Sequence, residues 1–313
     1  MRAMTTRTAY GWLLSLLVLV TGPALAREYV IPEGADVVGE PLVIRSRYED
    51  TFVALARQYN VGFEALRRAN PDVDPWLPGE GTEIVIPSQF VLPRAPREGI
   101  VVNVAELRLY YFPDKDGRRV ITHPISIGRQ DWSTPLGTTT ITAKQANPSW
   151  YPPQSIREEH AAMGDPLPAV VPPGPDNPLG KHALRLGLPG YLIHGTNKPS
   201  GVGMRVTHGC IRMFPEDIEA LYESVPVGTK VRIVNQPYKL GWSAEGLYLE
   251  AHPPLEEHAD AETERSATAL THLFVAATEE RMTRVAWETA ERVMQAARGI
   301  PEFVSELEPL ASN

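Results

Sequence analysis

Cysteine is all but missing from this chain: one residue, Cys210, in 313. A single cysteine excludes an internal disulfide framework, so packing and hydrogen bonds must hold the fold. An excess of positive charge is missing too. Lys and Arg number 30 against 38 Asp and Glu, which leaves no broad basic surface for a nucleic-acid backbone. The N-terminal apolar run from Trp12 to Val20 is shorter than the about 20 residues that a membrane-spanning helix needs. It follows Arg2 and Arg7 and precedes Pro23, Ala24 and Ala26, the layout of a secretory signal peptide over residues 1–26, with cleavage expected after Ala26. No cysteine stands at the cut to take a lipid. The expectation is an exported chain with no lasting membrane span, and a free thiol in an oxidising compartment needs a reason to be there.

The surroundings of the thiol supply one. Residues 191–213 read YLIHGTNKPSGVGMRVTHGCIRM. His194 closes a short apolar run, Tyr191, Leu192 and Ile193, that reads as a strand. Cys210 follows Thr207, His208 and Gly209 and precedes Arg212. A small neighbour leaves backbone N–H groups uncrowded, and polar and cationic neighbours favour a thiolate. An attacking cysteine also wants a base within hydrogen-bond reach and a group that orients the base. His194, at a strand end, is better placed for that task than a loop histidine.

These residues resemble the active-site signature of the L,D-transpeptidase catalytic domain, the YkuD fold: a His-Gly pair, then Ser/Thr-His-Gly-Cys and an arginine or asparagine. His194 and Gly195, then Thr207, His208, Gly209, Cys210 and Arg212, stand at those positions. The resemblance implies Cys210 as nucleophile, His194 as base and the Gly195 carbonyl as the group that orients the ring. The backbone N–H of Gly209 or Cys210 is the natural oxyanion donor. His208, Arg212 and Thr207 are expected to shape substrate binding. No metal and no cofactor is implied.

Around this centre the expected fold is mainly β, a YkuD-type β-sandwich over 99–235 with strands at 100–104, 107–112, 120–127, 138–143 and 229–234 and a helix at 216–224. Successive hairpins predict a largely antiparallel sheet. Residues 147–180 hold nine prolines between Pro148 and Pro178, which predicts a preshaped loop. Trp150 and Tyr151 near its start, with Arg157 further on, suggest a lid that rests over the cysteine and joins in substrate binding. His182, just after it, is read as a strand-edge residue facing solvent. Upstream, 42–87 reads as a strand, two helices and a closing strand, and Asp50, Thr51, Leu55, Ala56, Leu66, Asn70, Pro71 and Pro87 resemble a small α/β LysM-like module, which implies binding to wall glycan. Residues 88–98, with Pro93 and Pro96, read as a stiff linker. Residues 236–313 form a C-terminal extension, with a short strand added to the catalytic sheet and a long helix over 263–297, broken once at most.

The function implied by the resemblance is a periplasmic enzyme that works through a cysteine thioester on peptidoglycan tetrapeptide stems and glycan strands. The acceptor is a second stem, giving 3-3 cross-links, or the C-terminal lysine of an outer-membrane lipoprotein. With water as acceptor it is an L,D-carboxypeptidase. Two histidines and a cysteine also suit zinc, so a zinc peptidase stays open as an alternative, as does a non-catalytic glycan-binding protein.

Overall fold

The computed structural model describes residues 27–257, 267–279, 281 and 283–305; the expected signal segment lies outside them. The chain begins with β1 (Arg27–Val30), β2 (Val37–Gly39) and β3 (Leu42–Arg45), then α1 (Phe52–Gln58), α2 (Phe63–Ala69), β4 (Glu83–Ile86) and β5 (Gln89–Val91). Thr51 caps α1, its hydroxyl accepting the Ala54 N–H at 3.2 Å. Asn70 ends α2 and ties it to β4: its amide donates to the carbonyls of Leu66 and Val85, 2.8 Å each, and accepts the Val85 N–H at 2.7 Å. β3 and β4 pair antiparallel, and Phe52, Leu55, Leu66, Ile84 and Ile86 are fully buried between the helices and this hairpin. The expected linker instead opens with a strand, since β5 pairs with β2. Phe90, Val91 and Leu92 are all buried, and that apolar triplet outweighs the two prolines that follow it.

The following region supplies β6 (Gly99–Asn103), β7 (Arg108–Phe112), β8 (Arg119–Pro124), β9 (Ile127–Gly128), β10 (Gly137–Ala146), α3 (Gln154–Ala162), β11 (His182–Leu186), β12 (Leu192–His194), β13 (Arg205–Thr207), β14 (Ile211–Arg212), α4 (Pro215–Ser224) and β15 (Lys230–Val234). Nine strands form one sheet in the order β1-β8-β7-β6-β15-β10-β11-β12-β14. The hairpins β6/β7 and β7/β8 are antiparallel as expected, but β6 with β15 and β12 with β14 are parallel. The sheet is therefore mixed. Ile100, Leu109, Ile141, Leu184, Ile193, Ile211 and Ile233 come from strands spread across its order, yet they share one core with Ile218 and Leu221 of α4. The sheet therefore curls around that core. The strand expected over 120–127 breaks after Pro124, and β9 leaves to pair with β13. Within the proline-rich stretch an α-helix, α3, replaces the expected loop; its Gln-Ser-Ile-Arg-Glu-Glu-His-Ala-Ala run holds no proline.

The N-terminal module packs onto this region. Arg57 forks onto Glu216 at 2.8 and 2.9 Å, and the Asn60 amide donates to both oxygens of buried Asp217 at 2.8 and 2.9 Å. The N–H groups of Phe63 and Glu64 meet the carbonyls of Val202 and Gly203 at 3.4 and 3.2 Å, and Met204 packs against the module's core. Gly203 has φ +86° and a Cβ on it would lie 2.3 Å from the Gly62 Cα, so only glycine fits there.

The extension adds β16 (Tyr238–Trp242), β17 (Leu247–Ala251), α5 (Ala267–Thr278), α6 (Trp287–Ala296) and β18 (Glu302–Phe303). Its three strands make a sheet of their own rather than extending the nine-stranded one. The reason is topological: β15, the strand before them, already has β6 and β10 on its two sides. The expected long helix is two helices within the described residues. Lys239 anchors the extension, its buried ammonium 2.7 Å from Glu106, 3.1 Å from Glu250 and 2.7 Å from the Val91 carbonyl. His252 completes the cluster, 2.6 Å from Glu250.

Candidate active site

β12 and β14 build the site. Their parallel pairing sets Ile193 beside Ile211 and His194 beside Arg212. Side chains alternate along a strand, so His194 and Arg212 share a face with Leu192 and with Cys210, which stands one step before β14. Adjacent strands run about 4.8 Å apart, and the pairing thus sets the cysteine and the histidine on one face although sixteen positions separate them in the sequence. Gly209 makes the turn into the cysteine possible. Its φ is +98°, and a Cβ there would lie 2.8 Å from the Tyr191 ring.

His194 is buried, and its Nδ1 lies 2.6 Å from the Gly195 carbonyl. A carbonyl only accepts, so Nδ1 carries the proton and Nε2 keeps a lone pair. Burial pushes the pKa of this imidazole down to about 3, Arg212 adds to the effect and the Gly195 bond opposes it. The ring is a neutral base over the ordinary pH range. Cys210 is half-buried, with Sγ 3.7 Å from the Gly190 carbonyl. Here the sequence expectation of a favoured thiolate is corrected: burial raises the thiol pKa above its usual value, although the Leu192 N–H and Arg212 pull the other way. The cysteine is thus a thiol and the imidazole neutral.

Thr207 is buried and its hydroxyl donates to the Cys210 carbonyl at 2.6 Å. The Arg212 guanidinium is mostly buried, and its Nε meets no hydrogen-bond partner among the described residues. Burial lowers its pKa from the ordinary arginine range. His208 meets α3: its Nε2 is 3.0 Å from Glu159, and the Trp132 ring stands edge-on to it with centroids 5.1 Å apart. Glu159 also pairs with Arg129. The excursion thus reaches the site through α3. Trp150 instead pairs with Val171 across the base of the excursion, and Tyr151 is exposed. His182 is half-buried, not solvent-facing: β11 lies between β10 and β12, and the ring rests 4.6 Å from Tyr222.

Two residues at the site, Glu159 and Trp132, carried no sequence signal of their own, whereas Thr134 lies in the Ser-Thr-Pro-Leu-Gly run that resembles a Thr-Pro-Thr-Gly run of the family. Glu159 is one of two adjacent glutamates on a polar helix. Trp132 and Thr134 flank Ser133 before Pro135. The Thr134 hydroxyl donates to the Gly209 carbonyl at 2.8 Å and accepts the Gly128 N–H at 3.1 Å, so the Ser-Thr-Pro-Leu-Gly run grips the turn that carries the cysteine.

Known proteins are similar to this chain in sequence. The family model of the L,D-transpeptidase catalytic domain, YkuD, matches residues 97–233. The chain is 44% identical over 287 residues to the probable L,D-transpeptidase YcfS of Escherichia coli, covering 89% of this chain and 88% of that one. It is 42% identical over 255 residues to the probable L,D-transpeptidase ErfK/SrfK of the same organism, covering 80% and 82%. The crystal structure of L,D-transpeptidase 3 from Mycobacterium tuberculosis aligns at 18% identity with a TM-score of 0.34, over 67% of this chain and 96% of that one.

Proposed function

The chain belongs to the L,D-transpeptidase family and is an L,D-transpeptidase of peptidoglycan, and on that premise we propose how its residues divide the reaction. Cys210 attacks the carbonyl of the third residue of a tetrapeptide stem, and its proton passes to Nε2 of His194. The S–C bond forms, the bond to the terminal D-alanine breaks, and His194 returns the proton to the leaving amine. An acceptor amine then attacks the thioester, the C–S bond breaks and the thiol is restored. The observation that carries this reading is the Nδ1 bond of His194 to Gly195, which frees Nε2 on the face shared with Cys210.

The N–H groups of Gly209 and Cys210 receive the developing oxyanion. Thr207 and Thr134 brace that turn from either side, and the buried Arg212, with Nε uncommitted, is placed for a substrate carbonyl or carboxylate. His208 lines the site toward α3. Trp150 and Tyr151 belong to the excursion, where Tyr151 offers an exposed ring to the stem or glycan.

The N-terminal unit acts as a LysM-like module that holds the enzyme on glycan strands. Tyr48, Trp76 and Leu77, 84%, 59% and 77% exposed, are the apolar groups it offers to a sugar. Export to the periplasm follows from the basic and apolar N-terminal segment. The acceptor is diaminopimelate of a second stem or the C-terminal lysine of an outer-membrane lipoprotein; both present a primary amine on a long side chain.

Incubation of the mature chain with disaccharide tetrapeptide, with and without a lysine-terminated peptide, tests the reading by mass spectrometry. A thioester on Cys210 is expected, followed by a cross-linked dimer or a stem tripeptide joined to the lysine peptide. Tripeptide alone in both mixtures would mean hydrolysis, and absence of any adduct on Cys210 would remove the mechanism.

A further inference from the structure

Glu159 has no part in the scheme above, yet both of its carboxylate oxygens are committed to the wall that carries the thiol. Oε1 pairs with Arg129, and Oε2 lies 3.0 Å from Nε2 of His208. The bond to Arg129 holds the carboxyl below its usual range, burial opposes this, and His208 reinforces it. An ionised carboxylate only accepts, so Nε2 of His208 carries the proton. Burial lowers the pKa of that ring; Glu159 opposes the change, while Arg129 and His160 add to it. His208 is therefore neutral near pH 7, with its lone pair on Nδ1. Trp132 fixes the ring from the side, and Gly209 joins it to Cys210 along the chain.

The same carboxylate ties the excursion to this wall. Glu159 belongs to α3, and beyond α3 the segment returns to the site at Gly180, whose Cβ position lies 2.8 Å from the Thr196 nitrogen and 3.1 Å from the Gly195 carbonyl carbon. The excursion is thus held at the His208 side by an ion pair and at the His194 side by close backbone packing. The polar part of the first hold is Glu159, and buried Ile156 adds apolar packing on the same helix.

Resting on the Cys210 acyl-enzyme reading, we infer that Glu159 is a positioning residue for the transfer half of the reaction, which ties α3 to the wall that carries the thioester and fixes the Nε2–H tautomer of His208 so that the acceptor amine is favoured over water. A histidine's tautomer is set by the partner of its other nitrogen, and a closed lid keeps water from a reactive intermediate. With that tie released, water enters from the α3 side and the imidazole is free to exchange between its two neutral forms.

Two readouts on the full mature chain test this, with Glu159→Ala and Glu159→Gln compared at matched folded fraction. The first is the ratio of hydrolysed tripeptide to amine-transfer product from disaccharide tetrapeptide and a lysine-terminated peptide. The second is the nitrogen-15 spectrum of the His208 ring. The alanine variant should raise the water-to-amine ratio about fivefold or more and give mixed tautomer signals. The glutamine variant should fall between it and the wild type, because an amide oxygen still accepts from Nε2–H but carries no charge for Arg129. An unchanged ratio, or a single Nε2–H tautomer that survives in the alanine variant, would overturn the inference. A wild type that forms no adduct on Cys210 would instead overturn the acyl-enzyme reading; the ring spectrum needs no substrate and would still decide whether Glu159 positions His208.

Discussion

Acid should weaken this fold through His194. The ring titrates at an ordinary value of 6.5 in the unfolded chain and at about 3 in the folded one. As pH falls below 6.5 the unfolded chain takes up a proton at this position and the folded chain does not. The stability owed to a neutral buried His194 is therefore complete above pH 6.5 and is lost as pH falls from 6.5 towards 3. The slope is about 1.4 kcal/mol per pH unit, so by pH 5 the loss is about 2 kcal/mol. Other groups titrate in the same window, and a variant without the imidazole separates them. Urea unfolding of the wild type and of His194→Gln at pH 7.5 and pH 5 is the assay, with the amide retaining a donor for the Gly195 carbonyl. The wild type should lose about 2 kcal/mol more than the variant over that interval. Equal losses would refute the argument that burial excludes the charged ring. The same shift has a kinetic counterpart. A base with a pKa of about 3 leaves the rate of Cys210 acylation without an acidic limb near 6.5, and a limb centred there would show that the proton acceptor is a different, solvated histidine.

Two substitutions probe the supports of the site and of the extension. Thr134→Val keeps the shape but strands the buried Gly128 N–H and Gly209 carbonyl; about 1–3 kcal/mol of stability and a slower acylation of Cys210 should be lost together, as read by urea unfolding and by mass-resolved adduct formation. Lys239→Met leaves the buried carboxylates of Glu106 and Glu250 without their cation. A loss of about 3–5 kcal/mol is expected in the same unfolding assay, and a loss below about 1 kcal/mol would mean that the carboxylates find another partner.

The sequence was most informative where chemistry and local pattern coincided. His194, Thr207, Gly209 and Arg212 could be picked out because their types and spacing around a lone cysteine have few other uses, and the capped helices of the N-terminal unit could be read because Thr51 and Asn70 end them with their own side chains. What escaped were relations set by pairing across long sequence distances. Nothing local shows that β15 returns beside β6, or that β1 joins the far edge of the same sheet. Proline count concealed α3, since the prolines lie around the helix and not in it. The thiol's pKa was misjudged for a related reason. Neighbours in the chain supply charge, but the burial that dominates comes from residues elsewhere in the fold. Glu159 belongs to both cases: it sits on the concealed helix and acts on a histidine 49 positions away.

The contact between Gly62 and Gly203 bears on how this protein could be taken apart. Gly203 lies in the loop between His194 and Cys210, and the start of α2 serves as that loop's back wall. The family match, 97–233, therefore leaves out the surface against which this loop packs. A chimaera with an unrelated wall-binding domain at its N-terminus would leave two backbone carbonyls, Val202 and Gly203, and the apolar Met204 facing solvent where α1 and α2 had covered them. The loop would lose its template while every residue of the catalytic signature stayed in place. Module and catalytic loop are interlocking parts, and a change on one side of the contact has to be matched on the other.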